Sequence, residues 1–181
     1  MQKNKIENNR EQSFFRIKYM TFTSIMAALI TIMTAYICHI PVGSNGGYIH
    51  FGDALIYLAA VLLPRPYAFA AAAIGGGLAD LLTAPIWAIA TIIIKMLIVL
   101  PFTNKNHKIV TPRNVIALVI AYVISALGYY VAEYVLFGTW SVFLVSIISS
   151  SIQALGSAIV FIVFGVALDK AGVKSKFFMN H

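Results

Sequence analysis

The sequence predicts an all-α membrane protein with six transmembrane helices and both termini in the cytoplasm. Of its 181 residues, 60% are hydrophobic and only 10% are charged, whereas soluble domains carry about 25% charged residues. The placement of Lys and Arg predicts the orientation. We divide the chain into a cytoplasmic tail over residues 1–16, a six-helix membrane domain over 17–170, and a second cytoplasmic tail over 171–181.

Six apolar segments are bounded by polar or turn-forming residues, and each is interpreted as one helix. A spanning helix needs about 20 residues, so the first, fifth and sixth segments are long enough and the fourth is at the lower limit. The second and third are short, and short or Gly/Pro-interrupted segments point to binding sites in transporters. The six segments cover residues 19–40, 48–63, 67–82, 86–102, 115–137 and 140–168.

The basic residues predict which connections face the cytoplasm. Twelve of the 13 Lys and Arg residues lie before the first segment, after the sixth segment, or in the connections that follow the second and fourth segments, and the exception is Lys95. Because cytoplasmic loops carry an excess of Lys and Arg, these regions are assigned to the cytoplasm. The net charge of +7 is therefore a topology signal, and it does not indicate nucleic-acid binding.

Ionisable residues inside apolar segments indicate a functional site, because a charge in a membrane is costly. Asp53, Asp80 and Glu133 all map to the outer third of the membrane. Asp53 follows Gly52 at the start of a helix, so an alternative role is to cap that helix. Lys95 lies near mid-bilayer in the fourth segment, where Asp80 and Glu133 are its candidate partners. A structural ion pair and a ligand contact both remain open for Lys95.

Polar and aromatic residues near these carboxylates complete the predicted ligand site. A glycine-rich loop contributes Asn45 and His50, and glycines allow a tight loop over a pocket. Aromatic planes and a few polar groups are what a small-molecule site needs, although an interfacial aromatic belt also explains the two tryptophans. The candidate ligand contacts are Asn45, His50, Asp53, Asp80, Trp87, Lys95, Tyr130, Glu133 and Trp140.

The sequence shows no catalytic or energy-coupling motif. Its GGGLAD stretch lacks the Lys-Ser/Thr ending of a phosphate-binding loop, and no metal-ligand cluster or activated nucleophile is recognisable. We therefore predict no catalytic residue, no metal and no cofactor. Two alternatives remain: a membrane enzyme that uses Asp80, Glu133 and His50 as an acid/base set, and a membrane scaffold without a ligand.

Three stretches in order resemble the S components, or substrate-binding subunits, of energy-coupling factor (ECF) vitamin transporters. They are GGYIHFGDALIYLAAVLLP, AIGGGLADLL and ATIIIK, and the similarity extends over residues 17–170. It is greatest to the group for riboflavin and hydroxymethylpyrimidine. The resemblance implies a multi-pass protein of a bacterial cell membrane with a substrate site near the outer face. It also implies a transmembrane T subunit and two cytoplasmic ATPases as partners, besides the lipid.

Small residues at i+4 spacing mark one face of the first helix. They are Thr23, Ala27, Thr31 and Ala35, and such a stripe allows close helix approach either within the bundle or to a partner. The resemblance favours the T subunit as that partner. For the ligand, the acid-rich site favours a hydroxymethylpyrimidine or pyridoxine-like ring. Riboflavin fits if the pocket is wide, whereas a dianionic or phosphorylated ligand fits poorly.

Overall fold

The computed structural model describes residues 2–37, 39–42, 47–138 and 143–178, with side chains described for 9–37, 39–41, 49–138 and 147–178. These ranges contain seven α-helices and one two-stranded hairpin. The helices are α1 (Gln2–Ile32), α2 (Asp53–Leu62), α3 (Arg65–Thr83), α4 (Ala88–Leu97), α5 (Pro112–Phe137), α6 (Phe143–Lys170) and α7 (Val173–Phe178). The strands are β1 (Ile40–Val42) and β2 (Gly47–Ile49); a π-helical segment (Met33–Ile37) follows α1, and a 3₁₀ turn (Pro85–Trp87) precedes α4.

Each of the six predicted segments contains a helix, but several ends differ. α1 begins at Gln2, inside the predicted N-terminal tail, because that tail is free of Gly and Pro and rich in residues that tolerate a helix. The prediction of helix at the start of the second segment is wrong, since residues 47–49 form β2. The C-terminal tail contains the short helix α7, which was not predicted from the sequence.

The hairpin lies between α1 and α2. β1 pairs antiparallel with β2, with Ile40 opposite Ile49 and Val42 opposite Gly47. This pairing brings the two ends of the connection together, so the rings of His39 and His50 are near enough to interact electrostatically. The predicted glycine-rich loop at residues 43–46 lies outside the described residues.

Helix α2 is the most buried helix of the described structure. It packs against α1, α3 and α6, and every side chain in it except Leu55 is buried. Near its centre, the Tyr57 ring stacks on Phe102 at 5.0 Å and meets Phe161 edge-on at 6.1 Å. The helix ends before Pro64 because the residue that precedes a proline disfavours the α conformation, and Leu63 is extended there.

The small-residue stripe of α1 packs against α3. A Cβ on Gly75 of α3 would lie 2.7 Å from Cβ of Ile30 and 2.9 Å from the Ala27 carbonyl oxygen. The Thr31 hydroxyl donates to the Gly75 carbonyl at 3.0 Å. Thr23, Ala27 and Ala35 are buried, so in the isolated chain the stripe has the internal-packing role, because the glycine lets the two backbones approach closely.

Three helical stretches are long and apolar enough to cross a membrane. Within the described ranges they are Asn9–Ile37, Pro112–Phe137 and Ile147–Lys170, and two shorter apolar helices are Asp53–Leu62 and Pro85–Leu97. The exposed side chains of these helices include many large hydrophobic residues, such as Ile89, Val119 and Leu155. An apolar exterior of this kind suits lipid contact.

Polar contacts fix the connection between α4 and α5 at one end of the bundle. Asn114 is fully buried, and its amide donates to the carbonyls of Thr103 and Ile109 at 3.3 and 2.9 Å. The Asp169 carboxylate accepts from the backbone N–H groups of Ile109 and Val110 at 2.7 and 3.0 Å. These bonds satisfy backbone groups that would otherwise be costly to bury.

Helix α7 folds back onto the start of the membrane domain. The Phe178 ring meets that of Phe22 at 4.8 Å. Lys174 is also buried, and its Nζ has no hydrogen-bond partner among the described residues. Burial lowers the pKa of Lys174 to about 8, while the nearby Asp169 carboxylate opposes that change.

Candidate substrate-binding site

A buried ion pair lies at the start of α2. The Lys95 ammonium of α4 donates to Oδ1 of Asp53 at 2.6 Å, and the two side chains are only 1% and 2% exposed. Because an isolated buried charge is very costly, each group needs the other. The structural ion-pair alternative for Lys95 is therefore present, and the carboxylate in direct contact is Asp53, which was not among the predicted partners.

Asp53 does not cap α2 with its side chain. The N-cap position is Gly52, without a side-chain cap hydrogen bond, and Asp53 is the first residue of the helix. Its carboxylate instead turns towards α4 and α6. The predicted capping hydrogen bond is therefore wrong. The carboxylate still lies at the N-terminus of α2, where a negative charge interacts favourably with the helix dipole.

Gln153 of α6 joins the ion pair to the hairpin. Its amide nitrogen donates to Oδ2 of Asp53 at 2.9 Å, and its amide oxygen accepts from the His50 backbone N–H at 3.4 Å. Nδ1 of His50 accepts from the Gly52 N–H at 3.1 Å, so the ring must carry its proton on Nε2. The start of α2 is thus connected to α4, α6 and β2 by one polar network.

Aromatic rings form one side of this network. The Lys95 ammonium lies 5.3 Å from the centre of the Tyr129 ring, in cation–π range. The Tyr129 hydroxyl lies 3.0 Å from the Thr91 hydroxyl, and Trp87 meets the Tyr129 ring at 6.1 Å. Trp87 is buried and also packs on Phe137 at 5.7 Å. Trp87 therefore lies beside the polar network, as a ligand contact requires.

Gly76 of α3 allows Lys95 to reach this position. A Cβ at Gly76 would lie 2.9 Å from Cγ of Lys95 and 3.2 Å from Cγ2 of Thr91. Such distances are too short for ordinary side-chain packing. The glycine run of the third predicted segment thus serves two contacts, since Gly75 faces α1 and Gly76 faces α4.

The other predicted carboxylates occupy different positions. Asp80 of α3 is buried and close enough to the Lys95 ammonium and the Tyr129 phenol to act electrostatically on both. Glu133 is buried and Tyr130 half-buried towards the C-terminal end of α5, and each takes part in interactions within the protein. Asn45 and Trp140 lie outside the described residues.

The structure thus brings His50, Asp53, Asp80, Trp87 and Lys95 to one region of the bundle. Gln153, Tyr129 and Thr91 were not among the site residues predicted from the sequence. Gln153 carried a usable signal, because an amide in the middle of an apolar helix is costly unless it finds partners. Thr91 and Tyr129 carried none, since a hydroxyl on a membrane helix is ordinary and often bonds its own backbone.

Comparison with known proteins identifies the family. The family described as "ECF-type riboflavin transporter, S component" matches residues 14–170. The chain belongs to this family. The S component is a transporter subunit and not an enzyme, so the acid/base alternative for Asp80, Glu133 and His50 does not apply.

One relative comes from an archaeon. This S component is 32% identical over 108 residues to a protein of Pyrococcus woesei described as "Uncharacterized protein in gap 3'region", covering 59% of this chain and 72% of the relative. That description carries no functional information.

The S-component assignment accounts for the apolar exterior and the buried polar network together. ECF S components are membrane subunits that bind small vitamin substrates and work with a T subunit and ATPases. This chain is accordingly a substrate-binding subunit of an ECF-type transporter. The identity of its substrate is a separate question, because one family serves several ligands by changing residues within the site.

Proposed function

We propose that this S component captures an uncharged nitrogen heterocycle, with riboflavin as the first candidate and hydroxymethylpyrimidine as the second, for uptake driven by its partners. The observation that carries this proposal is the polar network of Asp53, Lys95 and Gln153 beside the rings of Trp87 and Tyr129. A ring can stack on aromatic planes while its polar edge bonds to a few fixed groups.

The ion pair changes the expected ligand chemistry. Asp53 is already neutralised by Lys95 at 2.6 Å, so the region is less acidic than the sequence, with its three candidate carboxylates, predicts. This weakens the preference for a basic pyrimidine or pyridoxine-like ring. An edge that carries both acceptors and a donor matches an ammonium, an amide and a carboxylate in one cluster, and the imide edge of a flavin has that pattern. The family description also supports riboflavin.

The proposed transport arrangement keeps both termini in the cytoplasm and the substrate site near the outer face of a bacterial membrane. The distribution of Lys and Arg supports this orientation. A transmembrane T subunit and two cytoplasmic ATPases supply the energy, and the S component supplies recognition. The polar network lies at the N-terminus of α2, whereas Arg65, the first residue of α3, follows the C-terminus of α2; this separation supports a site on the outer side.

Ligand identification and titration test the substrate class. The S component is purified in detergent, and any bound small molecule is identified by mass spectrometry. Ligand-free protein is then titrated calorimetrically with riboflavin, hydroxymethylpyrimidine, pyridoxine and riboflavin 5′-phosphate. We expect riboflavin to bind most tightly, and its phosphate ester to bind at least about tenfold more weakly, because the added dianion approaches the buried Asp80 carboxylate while the Lys95 ammonium is already paired with Asp53.

Three results would contradict all or part of the proposal. Equal affinity for riboflavin and its phosphate would show that the carboxylates do not exclude anions. Tight binding of hydroxymethylpyrimidine without binding of riboflavin would make the second candidate the substrate. Failure of all four compounds to bind, with the protein folded and monodisperse, would reject the whole substrate class.

A further inference from the structure

An unpartnered hydroxyl lies next to the polar network. Thr34 belongs to the π-helical segment after α1, and its side chain is 2% exposed. Its Oγ1 has no hydrogen-bond partner among the described residues. Buried side-chain polar atoms in native proteins nearly always have a partner, so within the described part of the chain this hydroxyl still has a hydrogen bond to make.

Thr34 packs against Gly52, the residue that precedes α2. Its hydroxyl occupies the space that a Cβ on Gly52 would take, and the same Cβ would lie 3.1 Å from Nδ1 of His50. The Thr34 carbonyl, on the other side, is 3.4 Å from Nδ1 of His39. Thr34 therefore lies between the two histidines of the connection and directly beside the residue that precedes Asp53.

The backbone at Thr34 departs from a regular α-helix. The π-helical turn Met33–Ile37 is five residues long, and single π-turns within helices occur frequently at functional sites. Elsewhere on α1, threonine hydroxyls bond the carbonyl four residues earlier: Thr23 bonds Tyr19 at 2.7 Å and Thr31 bonds Ala27 at 2.9 Å. At Thr34 that bond is absent, so the hydroxyl is left for another partner.

We propose that Thr34 is a substrate-contacting residue whose hydroxyl bonds an alcohol group on the substituent of the bound heterocycle. This inference rests on the proposed function and deepens it. Lys95, Asp53 and Gln153 bind the polar edge of the ring, whereas Thr34 distinguishes a hydroxylated substituent from a methyl group. A hydroxyl both donates and accepts, as an alcohol does, so the pair is chemically matched.

The test compares two variants with two ligand pairs. Thr34→Val removes the hydroxyl at nearly constant volume, and Thr23→Val is the matched control because its hydroxyl is bonded within α1. The ligands are riboflavin against lumiflavin, which has a methyl in place of the ribityl chain, and hydroxymethylpyrimidine against its 5-methyl analogue. Affinities are measured by calorimetry, and the melting temperature of each ligand-free variant is recorded.

We expect Thr34→Val to weaken binding of the hydroxylated ligand about two- to tenfold and to leave the affinity for the methyl analogue unchanged. The melting temperature of the ligand-free protein should not fall, because the hydroxyl has no bond to lose. Thr23→Val should leave both affinities unchanged.

Several outcomes would overturn the inference. One is an unchanged affinity for the hydroxylated ligand in Thr34→Val. Another is an equal loss of affinity in Thr34→Val for the hydroxylated ligand and its methyl analogue. A third is a lower melting temperature of ligand-free Thr34→Val, which would indicate a structural water bound to the Thr34 hydroxyl. If the wild-type protein binds neither pair, the proposed substrate class fails and this inference fails with it; if the wild type binds and Thr34→Val matches it, only this inference fails.

Discussion

Lys95 and Asp53 depend on each other for their charged states. Both are nearly completely buried, and their contact is 2.6 Å long. Replacing a buried ion pair by apolar residues is often tolerated, whereas removing one partner leaves an uncompensated charge and costs about 3–5 kcal/mol. The pair is therefore best tested by comparing single and double variants.

We predict that Lys95→Met will destabilise the protein by about 3–5 kcal/mol and abolish ligand binding. The double variant Lys95→Met with Asp53→Leu should recover most of that stability without recovering binding, because the network that reads the ligand is gone. Denaturant unfolding in detergent and calorimetric titration measure the two quantities.

The matched control is Lys176→Met, since Lys176 is exposed and its ammonium donates to the Ala171 carbonyl at 3.2 Å. It should change neither quantity appreciably. Tight ligand binding by the double variant would contradict the role assigned to the ion pair.

The sequence identified the charged residues of the site but not their pairing. Asp53, Asp80, Glu133 and Lys95 stand out because each interrupts an apolar segment. Which carboxylate meets Lys95 depends on the rotation and depth of α2 and α4, and Asp53 and Lys95 are 42 residues apart. Gln153 is 100 residues from Asp53, and no local pattern links the two.

At the scale of elements, α1 has two small-residue faces with different surroundings. Ala27 is buried against α3 near Gly75. Ser24 and Ala28, one position along the helix from Thr23 and Ala27, are exposed. An exposed small face on a membrane helix leaves room for close approach of another helix.

We predict that Ala27→Leu and Ala28→Leu will separate folding from assembly. Ala27→Leu should destabilise the isolated subunit by about 1–3 kcal/mol, because the added atoms overpack the contact with α3. Ala28→Leu should leave the isolated subunit and its ligand affinity unchanged but reduce its co-purification with the T subunit. Melting temperatures, titrations and pull-downs from a co-expressed complex measure these effects.

Normal co-purification of Ala28→Leu, together with loss of co-purification by a folded Ala27→Leu protein, would instead support the partner surface predicted from Thr23, Ala27, Thr31 and Ala35. Loss of folding by both variants would place both faces inside the subunit.

The helices were predictable, and several of their ends were not. Long apolar segments identify α5 and α6 because length and hydropathy suffice. At α5 the end signals are also clear: the Thr111 hydroxyl accepts from the Asn114 N–H at 3.2 Å, and Gly138 closes the helix with φ 69°. The hairpin was not predictable, since its two strands have only three residues each and β2 packs against α6, which lies about a hundred residues further along the chain.

At the scale of the whole molecule, the orientation in the membrane is the main untested prediction. The protein has one cysteine, Cys38, which lies two residues before the predicted outer end of the first segment. His107, in the connection between α4 and α5, is exposed and assigned to the cytoplasm. These two positions allow a labelling test with few changes to the chain.

We predict that a membrane-impermeant maleimide will label Cys38 in intact cells. The variant Cys38→Ser with His107→Cys should be labelled only after the membrane is permeabilised, because the positively charged connection stays inside. Cys38→Ser alone is the negative control. Labelling of the His107→Cys protein in intact cells would reverse the assigned orientation.

The pairing of Lys95 with Asp53 has a consequence for the energetics of transport. Since each charge is balanced within the chain, binding and release of an uncharged ligand leave the net charge of this pair at zero. A net charge moved across a membrane would couple to the transmembrane potential at about 2.3 kcal/mol per 100 mV, and a neutral pair carries no such coupling. The membrane voltage therefore neither assists nor opposes substrate capture and release through these two residues.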